Sequence, residues 1–445
     1  MSPHPILILT FFVVFSSCFV LQSSWAQTLV TPIRKDKSTN LYTLSVYLKT
    51  PLQNSKLHLD LGSYIPWHDC ARHYNSSSSF RPIHGNTPLC NEMEPNAIGN
   101  CFEPARPGCA NNSCGFYPEN PVTRESSLGD LIEDKFALLL PRKQAQPGPV
   151  SKLLLSCVNT TIFSKLLRGL ARGSVGVASL GRYNHSLPAQ LSKSFSSPQV
   201  FAICLPSSSK DPGLVWFNSP GPYYFSPGRM DLSKLLTYTP LITAPRGSDT
   251  QIYYYYPSPE YYIGLTSIKV NGKSIALNKS LLAIDELGLG GVKISSSKPY
   301  TELQTSILQA LTDAFVKEAG KLNLSLVQPA VKPFKVCYAV DEKRGSGADD
   351  PPAPTIDLVL QSEKVFWRIY GSNSMVRVRS KNKVDAWCLG FWDAGDAPRT
   401  SIIIGGHQLE DNLLKLDLER GRLGFSSSLV VRGTTCSNFD KSTNS

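Results

Sequence analysis

The stretch Leu57–Cys70 constrains the fold more than any other part of the chain. It reads Leu-His-Leu-Asp-Leu-Gly-Ser-Tyr-Ile-Pro-Trp-His-Asp-Cys. Apolar and polar residues alternate up to Leu61, which predicts a half-buried strand. Gly62 then predicts a sharp turn with Asp60 at its tip. Carboxylate acid–base chemistry takes two such groups. Held close together, two carboxyl groups cannot both ionise, so one stays protonated as the acid while the other activates water. One aspartate fills one of these roles only.

The best counterpart is a second turn, Gly290-Gly291-Val292-Lys293-Ile294-Ser295-Ser296-Ser297-Lys298-Pro299-Tyr300-Thr301. The Asp60 loop resembles the active-site loop of pepsin-like aspartic proteases, and this stretch lies where that family places its second loop. A working member would carry Asp-Ser-Gly-Thr at 295–298; here Ser295, Ser296, Ser297 and Lys298 stand there. Ser295 has no carboxyl group to share a proton with Asp60. Ser297 replaces a glycine expected to let the backbone fold tightly. Asn120–Leu140 predicts a hairpin and strand where the family has its flap, with Pro121 and Val122 in place of the flap's Tyr-Gly. The resemblance implies an all-β, bilobal, pepsin-like fold with a few short helices. It also implies a vestigial Asp60 and Ser295 and no enzyme activity.

The 445 residues allow two or three domains, or one large bilobal one. The first 26 residues predict a secretory signal, with an apolar run from Ile6 to Leu21 before Ser24-Trp25-Ala26. A membrane anchor is the rival reading, and Ser16-Ser17 and Ser23-Ser24 break its tail. No other stretch is long enough to span a bilayer. The expected division is 1–26 signal peptide, 27–205 N-terminal lobe and 206–445 C-terminal lobe, joined by a Ser- and Pro-rich linker at Pro206–Gly213. Of 11 cysteines, Cys18 lies in the signal. The rest are Cys70, Cys90, Cys101, Cys109, Cys114, Cys157, Cys204, Cys337, Cys388 and Cys436, an even set that suits disulfides in a secreted protein. Only Cys109 and Cys114 approach zinc-site spacing, so no metal or cofactor is expected. Glycosylation sequons begin at Asn75, Asn111, Asn159, Asn184, Asn278 and Asn323.

The net charge is +11, without a Lys/Arg run. Nucleic acid is therefore not an expected partner. The charge suits solubility and adhesion to an acidic wall matrix, or steering toward an acidic partner cleft. A tyrosine run at Ile252–Tyr256 reads as strand packing or as a carbohydrate platform. Glu286–Gly291 is Gly-rich but lacks the phosphate-loop fingerprint, so it reads as a tight turn. Tyr261–Val270, Asn271-Gly272 and Ile275–Leu277 predict a hairpin with a two-residue turn. Leu303, Ile307, Leu311 and Phe315 predict an amphipathic helix over Thr301–Gly320.

Three longer strings narrow the likeness. They are Gly108-Cys109-Ala110-Asn111-Asn112-Ser113-Cys114-Gly115-Phe116-Tyr117-Pro118-Glu119-Asn120-Pro121, Gly371-Ser372-Asn373-Ser374-Met375-Val376 and Gly405-Gly406-His407-Gln408-Leu409-Glu410-Asp411-Asn412. They resemble the secreted plant family of extracellular dermal glycoprotein, basic 7S globulin and xyloglucan-specific endoglucanase inhibitor, over about residues 28–437. That family typically has two more cysteines; the shortage here falls between Cys90 and Cys101. Its inhibitory members place basic residues in a glycoside hydrolase's cleft. Such a cleft holds two carboxylates about 5–10 Å apart, onto which a guanidinium can fork. The matching residues are Arg344, in a loop of different length, and Arg432, one place farther from Cys436 than in relatives. The resemblance thus implies an inhibitor of a microbial endoglucanase or xylanase, secreted to the plant apoplast and cell wall. The alternatives are a peptide-binding or storage globulin, with both arginines as solvated loop charges, or a residual aspartic endopeptidase.

Overall fold

The computed structural model describes residues 28–440 apart from Asn75, 94–96, Phe102, 142–145, 162–163, 247–256, 341–349 and 380–384. The leader, the Asn75 sequon, the tyrosine run and Arg344 lie outside the described residues.

The frame is a run of antiparallel strands in the order Tyr42–Leu48, Leu29–Lys35, Gly213–Phe217, Val200–Cys204, Leu413–Asp417, Arg422–Phe425 and Thr237–Ile242. Side chains alternate across a strand, and here both faces are covered. Phe201, Ile203, Val215, Phe217, Leu414 and Leu416 enter the main core, while Ala202, Cys204, Leu214, Trp216 and Leu413 enter a second one. Hence Val200–Cys204 is apolar at every position. Residues 205–212 link two neighbouring strands of this sheet.

Two parallel pairings position the site. Gln53–Asp60 lies beside Gly176–Ser179, with Asp60 opposite Ser179. Val292–Ile294 lies beside Ile402–Ile404 in the same way. Each strand therefore ends in a turn supported from the side.

Two sequence expectations need correction. The helix runs Thr305–Gly320, not from Thr301. Thr301–Leu303 is a strand between Phe391–Asp393 and Ile402–Ile404, and the Thr301 amide and hydroxyl both donate to Gln408 Oε1 at 2.8 Å. These partners hold the segment extended, and Gln304 then caps the helix by accepting from the amides of Ser306 and Ile307. The hairpin turn is as expected, with Asn271 and Gly272 both at positive φ (47° and 77°). Its arms, however, are only Ser267–Val270 and Lys273–Ser274. Ile275 and Leu277 turn in against the core, and Tyr261–Ile263 belongs to another ladder.

All ten cysteines among the described residues pair: Cys70–Cys157, Cys90–Cys114, Cys101–Cys109, Cys204–Cys436 and Cys337–Cys388. Cys109 and Cys114 thus have different partners. Among the described residues, no helix is long and apolar enough to cross a membrane.

Candidate functional site, a closed cleft with one aspartate

Asp60 is buried at the end of its strand and accepts three hydrogen bonds. Gly62 N (3.1 Å) and Ser63 Oγ (2.5 Å) donate to Oδ2, and Ser297 Oγ donates to Oδ1 at 2.5 Å. Ser297 also meets His58 Nε2 at 2.8 Å. Since the Ala171 amide donates to His58 Nδ1, the ring proton sits on Nε2 and points at Ser297. Burial pushes the His58 pKa down to about 4, against the pull of Asp60, so the imidazole is neutral near pH 7.

The second turn meets the first as expected, but its serines take up structural roles. Ser296 Oγ accepts from Leu61 N (3.1 Å) and donates to Leu59 O (2.9 Å), tying the two turns together. Leu61, at the equivalent place on the Asp60 turn, has no group to reciprocate. Ser297 is absent from the positive-φ positions, so its backbone conformation is one that a side chain tolerates. Ser295 lines the cleft with Asp60.

Above Asp60 lies a network the sequence reading missed. Lys293 Nζ reaches both Glu260 oxygens (2.7 and 2.8 Å). Arg124, at φ 64°, bridges Glu119 (2.9 Å) and Glu260 (3.4 Å). Glu260 lies directly on the Asp60 turn, where a Cβ added at Gly62 would come within 2.9 Å of its Cγ. Burial opposes ionisation of Glu260, but Lys293 and Arg124 prevail and hold its pKa at about 2. Burial draws Lys293 below its usual range, and Glu260 partly offsets this. The one available signal was Lys293 itself. A lysine inside the apolar strand Val292–Ile294 is buried only when paired.

The flap segment is anchored rather than projecting. Asn120 Nδ2 donates to Leu166 O and Arg168 O, and its Oδ1 accepts from the amides of Val122 and Thr123. Pro121 lines the cleft and Val122 packs into the Trp67 cluster. The remaining cavity is about 40 Å³. That is room for a few waters.

Arg432 lies elsewhere. It is exposed on the turn Val430–Arg432, beside Val431, and the turn ends at Gly433 with φ 71°. Among the described residues it forms no ion pair. The sequon asparagines Asn111, Asn184, Asn278 and Asn323 are exposed, while Asn159 is half-buried.

Two linked turns beneath a flap, in a bilobal β frame, define the aspartic-protease-like class of fold. Within it, residues 42–218 match the family described as xylanase inhibitor N-terminal and residues 260–427 match xylanase inhibitor C-terminal; the chain belongs to this xylanase-inhibitor-like family. It is 45% identical to the probable aspartic proteinase GIP1 of Glycine max, over 92% of this chain and 91% of that protein. The crystal structure of edgp superposes with a TM-score of 0.84 at 44% identity, covering 93% of this chain and 98% of that one. The crystal structure of basic 7S globulin from soybean gives 0.74 at 30% identity, covering 94% and 100%. The family reading made from the three sequence strings is borne out, as is the bilobal all-β fold.

Proposed function

We propose that this chain is a secreted plant inhibitor of microbial cell-wall-degrading glycoside hydrolases, acting in the apoplast or cell wall without proteolytic activity. A xyloglucan-specific endo-β-1,4-glucanase is the leading target. Arg432 and Arg344 enter its carboxylate cleft. The observation that carries this reading is Arg432, an exposed guanidinium with no ion-pair partner among the described residues, in a chain of the xylanase-inhibitor-like family. An unengaged guanidinium loses no existing pair on binding and can fork onto a carboxylate. The cleft supports the lack of proteolysis. It holds Asp60 without a second aspartate at 295, and Glu260 and Lys293 fill the space above it.

The test is to titrate the purified protein into microbial xyloglucanases and xylanases and follow reducing-sugar release. Stoichiometric inhibition of one class, lost in Arg432→Ala or Arg344→Ala, is the expected result. A second reading, a peptide-binding or storage protein, is favoured by the likeness to basic 7S globulin. It would prevail if no hydrolase were inhibited while a peptide ligand bound saturably. Acid-pH peptide cleavage abolished by Asp60→Ala would instead restore a protease reading.

A further inference from the structure

The loop that carries Arg432 has two feet, Leu429 and Cys436, and both rest on one residue. Asp411 O accepts from Leu429 N at 2.7 Å, and Asp411 Oδ1 accepts from Cys436 N at 2.8 Å. The Asp411 amide donates to Leu205 O at 2.9 Å, which fixes the residue to the central sheet beside Cys204. Asp411 itself is buried and held at φ 50°, a left-handed conformation that Asp and Asn tolerate better than other side chains. Between the feet, the amides of Arg432 (2.9 Å) and Thr434 (3.2 Å) both return to Leu429 O, and the Thr434 hydroxyl donates to Ser226 O. The Cys204–Cys436 disulfide ties down one foot. Asp411 joins both, with its backbone at one end and its side chain at the other.

We propose that Asp411 is the positioning residue of the Arg432 loop, clamping its two feet so that the guanidinium is presented in one orientation before a partner arrives. Presetting a binding group reduces the ordering cost of association. The functional consequence rests on the reading that Arg432 enters the target. The clamp itself does not.

The experiment therefore has two readouts. Asp411→Asn keeps an oxygen acceptor and the left-handed backbone. Asp411→Gly keeps the backbone conformation and removes the acceptor. Against a sensitive hydrolase, Asp411→Asn is expected to inhibit within about twofold of the natural protein. Asp411→Gly should weaken inhibition about tenfold, the scale of one lost hydrogen bond to a charged group. In an Arg432→Ala background Asp411→Gly should cost nothing further, which a general loss of stability would not reproduce. The second readout is tryptic cleavage after Arg432, expected to be about tenfold faster in Asp411→Gly and unchanged in Asp411→Asn. If Arg432→Ala inhibits normally, the reading of Arg432 fails, and the tryptic assay still decides the clamp. If Asp411→Gly remains as resistant to trypsin as the natural protein, the clamp is overturned. Should Asp411→Gly not fold, amide exchange in the natural protein decides instead. Slow exchange at both Leu429 and Cys436 is expected, and fast exchange at Cys436 overturns the clamp.

Discussion

Two buried carboxyl groups set opposite responses to acid. Glu260 has its folded pKa lowered to about 2 by Lys293 and Arg124, from an ordinary value near 4.5. Its contribution to stability is present above pH 4.5 and is lost as pH falls toward 2. Replacing it as Glu260→Gln leaves Lys293 and Arg124 without their shared counter-charge. The expected loss is about 3–5 kcal/mol, read as a lower urea midpoint at pH 7. Asp411 has its folded pKa raised to about 6, first by burial and further by Glu410, with Ser207, the Cys436 amide and Lys35 opposing. Its contribution is fully present below its unfolded value near 3.8 and is lost as pH rises through about 6. Asp411→Asn should therefore flatten the stability profile between pH 4 and 6, and raise the urea midpoint at pH 7 relative to the natural protein.

At the level of elements, Thr305–Gly320 is held by an apolar stripe rather than by helix propensity alone. Ile307, Leu311, Phe315 and Ala319 are all fully buried on it. Phe315→Ala should lower stability by about 3–5 kcal/mol, measurable by denaturant unfolding, because the surrounding strands cannot collapse into the space. The helix start also marks a limit of pattern reading. Leu303 fits the helical spacing equally well, and what makes it a strand is pairing with Phe391–Asp393 and Ile402–Ile404, far along the chain. By contrast, Asn271-Gly272 carries its own turn geometry, so that feature was legible locally. The short second arm of its hairpin was not, because Ile275 and Leu277 are drawn to the core instead.

Across the whole molecule, the net charge of +11 complements the proposed target class, because a glycoside hydrolase's catalytic cleft is acidic by the nature of its chemistry. Association with a sensitive hydrolase should therefore be steered electrostatically. Its rate constant is expected to fall about tenfold or more between 50 mM and 500 mM salt, with a smaller change in dissociation. Stopped-flow or surface-based kinetics would check this, and a salt-independent association rate would assign the charge to solubility alone. The central sheet provides the rigid support for such a complex. Val200–Cys204 pairs with the next strand along the chain, Gly213–Phe217, and with Leu413–Asp417 from its C-terminal part, and Cys204 is bonded to Cys436, 232 residues away.

By itself the sequence determined the features that are local or periodic. These are the Asp60 turn, the missing carboxyl group at Ser295, the alternating strands, the even set of cysteines and the strings that mark the family. Only the tertiary structure decided which groups meet. Ten cysteines allow roughly a thousand pairings, and spacing cannot choose among them. Lys293, Glu260 and Arg124 come from three distant segments, and they meet because a charge can enter the interior only with partners. Asp411 reads in the sequence as one more turn residue. It becomes a clamp only where folding brings the carbonyl of Leu205 and the amides of Leu429 and Cys436 to its backbone and carboxylate.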